Sequence, residues 1–484
     1  MTFALIVIPV LGLFFGVHRY LWCRLVRDTT TPGSHPRRTG TIAAFTLPLL
    51  TLAALLSART GAPFPLQQAL SWPGYLWLAL VLYLTLALLA GEAIRAVWLR
   101  VRPDDDAGPR RRGRSSGGRG RDDREPQPAG QGDADRESPP AGQGDTDREP
   151  QPAGQAYAAR GQGRRDPTPS PSPSPSSPSS PSLPSGSSPA APLAPTLLPP
   201  GTPALPPPAT PPRRLFLARA VAAGASLAAT AAVGYGTATT LRGPVVKRVT
   251  IPLAKLPRSA HGYRIAVVSD IHLGPVLGRA HTRRIVETIN RTHPDLVAIV
   301  GDLVDGNVTD LAPAAEPLRE LRARHGAFFV TGNHEYYTGA DQWVDHVREL
   351  GIHPLENART ELPGFDLAGI NDIGGQAEQS GPDYDQALSD RDPTRAVVLM
   401  AHQPVTIHDS ARFGVDLQLS GHTHGGQMWP FTYIADATNP TVAGLERYGD
   451  TQLYVSRGAG TWGPPVRLGA PPDVTVVELA SLRA

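Results

Sequence analysis

The stretch Arg264-Ile-Ala-Val-Val-Ser-Asp270-Ile-His272 runs a short apolar segment directly into two residues able to bind a metal ion. A β-branched run of this length, ended by polar residues, reads as a buried strand. Asp270 and His272 are two residues apart and fall on the same side of an extended segment. The pattern recurs downstream. Leu296-Val-Ala-Ile-Val ends at Gly301-Asp302-Leu-Val-Asp305, and Ala327-Phe-Phe-Val ends near Gly332-Asn333-His334-Glu335. Thr282 to Arg291 and Pro313 to Arg324 read as the connecting helices, closed by the turns His293-Pro294 and His325-Gly326. Strand and helix in alternation favour right-handed parallel units, so the fold class is α/β. Five later runs have little helix between them: Asp366 to Ile370, Ala396 to Ala401, Leu417 to Ser420, Gln452 to Ser456 and Val474 to Leu479. They are expected to form a second, more antiparallel sheet, giving a sandwich with helices outside.

Two further signals follow in order, Ala401-His402-Gln403 and Gly421-His422-Thr-His424. Ligands of open α/β sheets bind beyond the carboxyl ends of strands, where side chains distant in sequence converge. A glycine ahead of such a residue lets the backbone approach closely. Five signals in this order resemble the calcineurin-like metallophosphoesterase family, from about Tyr263 to Leu479. The extension Gly425-Gly-Gln and the tail from Ser456 to Gly469 look like its bacterial membrane-associated or exported branch. The resemblance implies a β-sandwich flanked by helices (α/β/β/α) and a dinuclear metal site. By that likeness Asp270, His272, Asp302 and His424 would hold one ion, and Asp302, Asn333, His402 and His422 the other. Asp302 is then the bridge, a carboxylate offsetting the repulsion of two cations about 3.5 to 4 Å apart. His334, beside the ligand Asn333, would face substrate and stabilise the transition state or protonate the leaving oxygen. Asp305 reads as orienting a ligand histidine, and Arg457 and Arg467 as candidate forks for phosphate oxygens. His261, His281, His293, His325, His346, His353 and His408 match no motif and read as structural or exposed. The single cysteine, Cys23, excludes a disulfide framework and a thiolate site. Carboxylate, imidazole and amide donors suit manganese, iron, zinc or cobalt, and do not choose among them.

Outward from this domain, the 52 prolines and 49 glycines of the 484-residue chain are too many for a uniformly packed globule. Residues 1–100 read as a membrane region with three transmembrane helices: Phe3 to Val17 with its extension to Trp22, Ile42 to Leu56, and Tyr75 to Val97. Residues 101–212 read as a disordered linker rich in Pro, Ser and Gly, carrying a polar twelve-residue repeat and a Ser-Pro tract suited to polyproline II. Residues 213–240 read as a fourth transmembrane or twin-arginine-like helix, opened by Arg213-Arg214, and 244–484 as the metallophosphoesterase domain. Arg19, Arg24, Arg27, Arg37 and Arg38 follow the first span, whereas Ser57 to Pro73 carries only Arg59. Basic residues stay in the cytoplasm, so this count places the catalytic domain outside a multi-pass cell-membrane protein. The net charge of +3, from 46 basic and 43 acidic residues, gives no reason to expect nucleic acid. The expected function is a metal-dependent phosphodiesterase or phosphatase acting on lipid-linked or envelope phosphoesters. A membrane scaffold or sensor with a structural metal site, and a cytoplasmic nucleotide phosphodiesterase, are the competing readings; oligomeric state is left open.

Overall fold

A computed structural model describes residues 2–101 and 213–483. Apart from Val101, the segment read as a linker lies outside the described residues. Four helices precede the sheets: α1 (Thr2–Trp22), α2 (His35–Ser57), α3 (Phe64–Val101) and α4 (Arg213–Arg242). Three helices among the described residues, over His35–Ser57, Phe64–Val97 and Leu215–Arg242, are long and apolar enough to cross a membrane. The stretch read as the first span forms α1, continued by a π-helical turn over Cys23–Arg27. One expectation is corrected here. Ser57 to Pro73 is mostly helix, because α3 begins at Phe64, well ahead of the apolar run at Tyr75. Phe64 packs on the core of the C-terminal domain, so tertiary contact holds these first turns. α2 and α3 meet at Gly74, where a Cβ would strike Ala54 and where the Thr51 hydroxyl donates to the Gly74 carbonyl at 3.1 Å.

The first sheet contains β1 (Val245–Leu253), β2 (Tyr263–Val268), β3 (Leu296–Val300), β4 (Ala327–Val330) and β5 (His353–Pro354). Strands β2 to β5 pair in parallel, as the alternation with α5 (Arg279–Asn290), α6 (Val308–Ala315), α7 (Asn333–Thr338) and α8 (Ala340–Glu349) requires. α6 lies earlier than the sequence indicated. Asn307 caps it by accepting from the Asp310 amide at 2.9 Å, and Pro317 has no N–H to extend it, so the chain leaves the helix through a 3-10 turn at Glu316–Glu320.

The second sheet holds β6 (Ala358–Leu362), β7 (Phe365–Gly369), β8 (Ala396–Met400), β9 (Leu417–Ser420), β10 (Gly444–Tyr448) and β11 (Thr451–Val455), in the order β10-β11-β9-β8-β7-β6. It is less antiparallel than expected. β7, β8, β9 and β11 run parallel, and only the edge hairpins β6–β7 and β10–β11 are antiparallel. The crossovers use α9 (Tyr384–Leu388) and α10 (Ile407–Arg412), helices too short to leave a periodic signal in sequence. The run Val474 to Leu479 does not join this sheet. It lies in β12 (Asp473–Ser481), which inserts into the first sheet, parallel to β1 and antiparallel to β2.

Period-two alternation divides each strand between two cores. Ile265 and Val267 face Val398, Met400, Leu417 and Leu419 of the other sheet, whereas Ala266 and Val268 pack outward under α5 and α8. With both faces covered, the strands read as unbroken apolar runs, and their polar ends are forced together at one rim.

His281 of α5 is 1% exposed, and burial followed by the neighbouring Arg284 guanidinium pushes its pKa down to about 3. The unfolded chain takes up this proton near pH 6.5 and the folded chain does not, so stability falls with pH from about 6.5 towards 3. Denaturant titrations of wild type and His281→Gln between pH 7 and 4 are expected to show the wild type losing stability more steeply, by up to about 1.4 kcal/mol per pH unit.

Candidate metal centre

Every donor singled out in the sequence sits just past a strand. Asp270 and His272 follow β2, Asp302 follows β3, Asn333 opens α7 after β4, His402 follows β8, and His422 and His424 follow β9. The turns that aim them are strained. Asp270, His272, Asp302, His422 and His424 have φ between 48° and 71°, the left-handed region that costs roughly 1–2 kcal/mol for a residue with a Cβ. Five of the seven proposed ligands are held this way, against the preference of their own backbone, and packing must over-determine them. The preceding glycines make the crowding possible. A Cβ on Gly332 would collide with the Asp302 amide and carboxylate, and one on Gly421 with the Ser269 hydroxyl and the Asp270 carboxylate.

The donor atoms form three overlapping groups, Asp270–His272–His424, His272–Asp302–His334 and Asp302–His402–His422, each within 4.8 Å. Nε2 of His272 lies 2.9 Å from Nε2 of His424, and Oδ2 of Asp302 lies 3.7 Å from Nε2 of His272 and 3.1 Å from Nε2 of His402. Asp302 therefore stands between the other two sets. The backbone amide of His422 donates to both oxygens of Asp270 at 3.0 and 3.1 Å, and that of His334 donates to Oδ1 of Asp302 at 2.9 Å.

Surrounding groups fix which ring nitrogen is free. Nδ1 of His272 donates to Oδ1 of Asp305 at 2.8 Å and Nδ1 of His402 to the Val300 carbonyl at 2.8 Å, leaving each Nε2 lone pair for a cation. Oδ1 of Asp305 also takes Nδ1 of His334 at 2.7 Å. Burial raises the Asp305 carboxyl, but the two imidazoles outweigh it and hold the group down at about 2. Burial lowers His272, but Asp305, Asp302 and Asp270 outweigh it and lift the ring to about 9, so a cation at Nε2 takes the place of a proton there. His402 is raised in the same way, chiefly by Asp302. His422 is instead pushed down to about 4 by burial and then by His402, and His424 is lowered by burial, His272 and Arg467, so both are neutral donors.

The two arginines fare differently. Arg457 is half-buried beside Gly425. Arg467 is 1% exposed, and its guanidinium donates to the carbonyls of Gly460, His424, Arg457 and Ala470 and lies 3.1 Å from Nδ1 of His424. It presents no free fork to a phosphate; it braces the loops that carry His424. A second brace went unread in sequence. The buried carboxylate of Glu335 accepts from the amides of Gly332, Asp302 and Leu303 at 2.6, 3.0 and 2.8 Å, tying the end of β3 to the start of α7. Its place directly after Asn333-His334 was the available signal. Buried Asp372 likewise accepts from Gln403 at 2.9 Å, next to His402.

The residues fit a pair of cations. Oδ1 of Asn333 is buried with no hydrogen-bond partner, Nε2 of His402 faces only the Asp302 carboxylate, and an orphaned acceptor inside a cluster of buried carboxylates calls for positive charge. The rim is aromatic. His334 meets the edges of Tyr337 and Trp462 at 5.5 and 5.7 Å, and those two side chains are largely exposed.

Parallel strands ending in this donor set have counterparts among known proteins. The sequence profile of the calcineurin-like phosphoesterases matches residues 263–426. The chain is 39% identical over 259 residues to a transmembrane protein with a metallophosphoesterase domain from Danio rerio, covering 51% of this chain and 59% of that protein. It is 36% identical over 239 residues to an uncharacterised metallophosphoesterase of Aquifex aeolicus, covering 48% of this chain and 91% of the relative. A third relative, from Bacillus subtilis, is 31% identical over 283 residues, with 56% and 98% covered. The chain belongs to the calcineurin-like phosphoesterase family, and spans little more than half the length of the zebrafish relative.

Because Asp305 sets the tautomer of His272, Asp305→Asn is expected to weaken manganese binding about 10- to 100-fold in calorimetric titration of the detergent-purified chain. An unchanged affinity would show that His272 is held without it.

Proposed function

We propose that the chain is a membrane-anchored, dinuclear metal-dependent phosphoester hydrolase whose substrate is a lipid-linked or envelope phosphoester. The observation that carries this is the convergence of Asp270, His272, Asp302, His402, His422 and His424 at one rim, where Asn333 opens α7 with an unpaired buried Oδ1 and Asp305 holds His334. Held by these residues, a pair of divalent ions would supply Lewis acidity, lowering the pKa of water from about 15.7 towards about 7 and offsetting phosphoryl charge. The protein's own groups do the rest. Asp302, placed between the two donor sets, turns Oδ2 towards both, while its Oδ1 takes the His334 amide. His334 keeps Nδ1–H on Asp305, which leaves Nε2 as the atom that exchanges a proton with the leaving oxygen. The neutral rings of His422 and His424 bind a cation without cancelling the charge that activates water.

The anchor in this reading is four spans, α1 to α4, with the arm over 101–212 between α3 and α4 and the domain from 244 following α4 directly. Its orientation is supported by the two ends of the bundle. At one end Arg24 bonds Glu92 at 2.6 Å and Arg219 donates to the Thr29 carbonyl at 2.9 Å, among Arg27, Arg37, Arg38 and Arg95. At the other, which holds Arg59 and Arg242, Phe64 and Gly236 touch the catalytic domain. A basic end belongs in the cytoplasm, which puts the domain outside.

Metal-loaded full-length protein is expected to hydrolyse a phosphodiester or a phosphomonoester, and Asp302→Asn to abolish this. His334→Ala is expected to keep its metal content by elemental analysis while turnover falls about 100- to 10 000-fold. Turnover of no monoester, diester or pyrophosphate by the loaded wild type would overturn the proposal. A periplasmic-type reporter fused after Ala484 is expected to be active; activity of a cytosolic reporter there would reverse the orientation.

A further inference from the structure

Beyond the metal centre the domain carries an apolar surface that its own fold does not use. Trp429, Phe431, Tyr433 and Ile434 are 47%, 40%, 69% and 58% exposed. The last three belong to α11 (Phe431–Thr438), a helix with no buried residue. An apolar group of this size left on a protein surface marks a binding face, and three of these four side chains are aromatic.

The setting identifies the occupant. Met428, immediately before Trp429, is buried in one cluster with Val466 of the adjacent loop, Ala225, Ala229 and Val233 of α4, and Ala79, Leu84 and Leu88 of α3. The exposed aromatics thus continue, without a break in the chain, from the surface that grips the membrane-type helices. The contact lies near the outer end of α4: the Arg467 amide donates to the Gly236 carbonyl at 3.1 Å, and a Cβ on Gly236 would strike Val466. The span Leu215–Arg242 has 28 residues, about 42 Å of helix against a hydrocarbon core of about 30 Å. Its last turns, Gly236 included, therefore reach the headgroup level. Tryptophan and tyrosine concentrate at that level because an apolar ring with one polar edge suits the boundary between acyl chains and water.

The patch is also tied to the catalytic rim. Gln427 donates through Nε2 to the Trp462 and Pro464 carbonyls at 3.0 and 3.1 Å, and its Oε1 accepts from the Trp462 amide at 3.0 Å. Trp462, 61% exposed, meets His334 edge-on. One rigid connection runs from α11 through Gln427 to the aromatic that borders the proposed catalytic histidine.

We propose that Trp429, Phe431, Tyr433 and Ile434 form an interfacial surface inserted at the headgroup boundary of the membrane that α4 crosses. The mouth of the metal centre then opens at lipid-headgroup height, and a phosphoester reaches it while its apolar tail stays in the bilayer. The surface rests on the membrane reading of the helices; its role in substrate delivery rests on the hydrolase reading as well.

Full-length Cys23→Ser protein carrying Ile434→Cys is labelled with an environment-sensitive fluorophore and placed in phosphatidylcholine nanodiscs, with and without shallow spin-labelled lipid. A matched sample carries the label at Arg324→Cys, an exposed site among the loops at the opposite ends of the strands. Quenching at 434 at least threefold stronger than at 324 is expected. Quenching at 434 no stronger than at 324 overturns the proposal. So does a blue-shifted label that lipid does not quench, since it reports a protein partner instead. This readout needs no turnover, so it separates failure of the surface from failure of the hydrolase reading. For delivery, Tyr433→Ser/Ile434→Ser is assayed against a soluble nitrophenyl phosphodiester or monoester and against phosphatidic acid in vesicles. Vesicle turnover reduced tenfold with the soluble rate unchanged is expected; equal rates on both relative to wild type overturn the delivery role.

Discussion

Asp302 is pulled from four directions. Its amide is bonded to Glu335, its Oδ1 takes the His334 amide, and its Oδ2 faces His272 on one side and His402 on the other. To reach all of these its backbone adopts φ 51°, and Gly332 must lack a Cβ for the chain to pass. Burial alone would raise this carboxyl; His402 and His272 outweigh burial and hold it well below the usual range. The rim of the sandwich is organised around one buried charge that needs positive partners, and the neighbouring turns are bent to supply them. The conformational cost falls on five separate residues, which is sustainable only because strands packed on both faces make the turns a small perturbation on a large core.

The first sheet was legible from sequence because each of β2, β3 and β4 is a short β-branched or aromatic run followed by a polar break, with an amphipathic stretch before the next. The second sheet was harder. Its crossovers are a five-residue and a six-residue helix, and its edges are hairpins, so local pattern suggested antiparallel pairing where the centre is parallel. The return of β12 to the first sheet leaves no local trace, since Val474 to Leu479 would be equally apolar in either sheet.

At the site, residue types and order pointed to the donors, yet nothing in them announced the left-handed turns, which arise only when strands from both sheets crowd one rim. Glu335 and Arg467 illustrate opposite failures. Glu335 has no role assigned by pattern, because its three amide bonds depend on the folded path of β3 and α7. Arg467 looked like a phosphate-binding fork, but a guanidinium surrounded by carbonyls is a structural cross-brace, and burial is a tertiary property. Helix length was similarly underread at α3, because only its middle is apolar and its first turns depend on contact with the domain.

The contact at Gly236 bears on modularity. Arg467 bonds the backbone of α4 through its amide and the loop of His424 through its guanidinium, so one residue belongs at once to the helix and to the rim where the donors gather. A domain on a simple leash could be moved to another anchor without loss. This one is seated on its helix, and exchanging α4 for a foreign span would preserve the seat only if a residue without a side chain stood at the same height. Helix α4 and the domain are in that sense a single inherited part, and changes in the two are expected to be selected together.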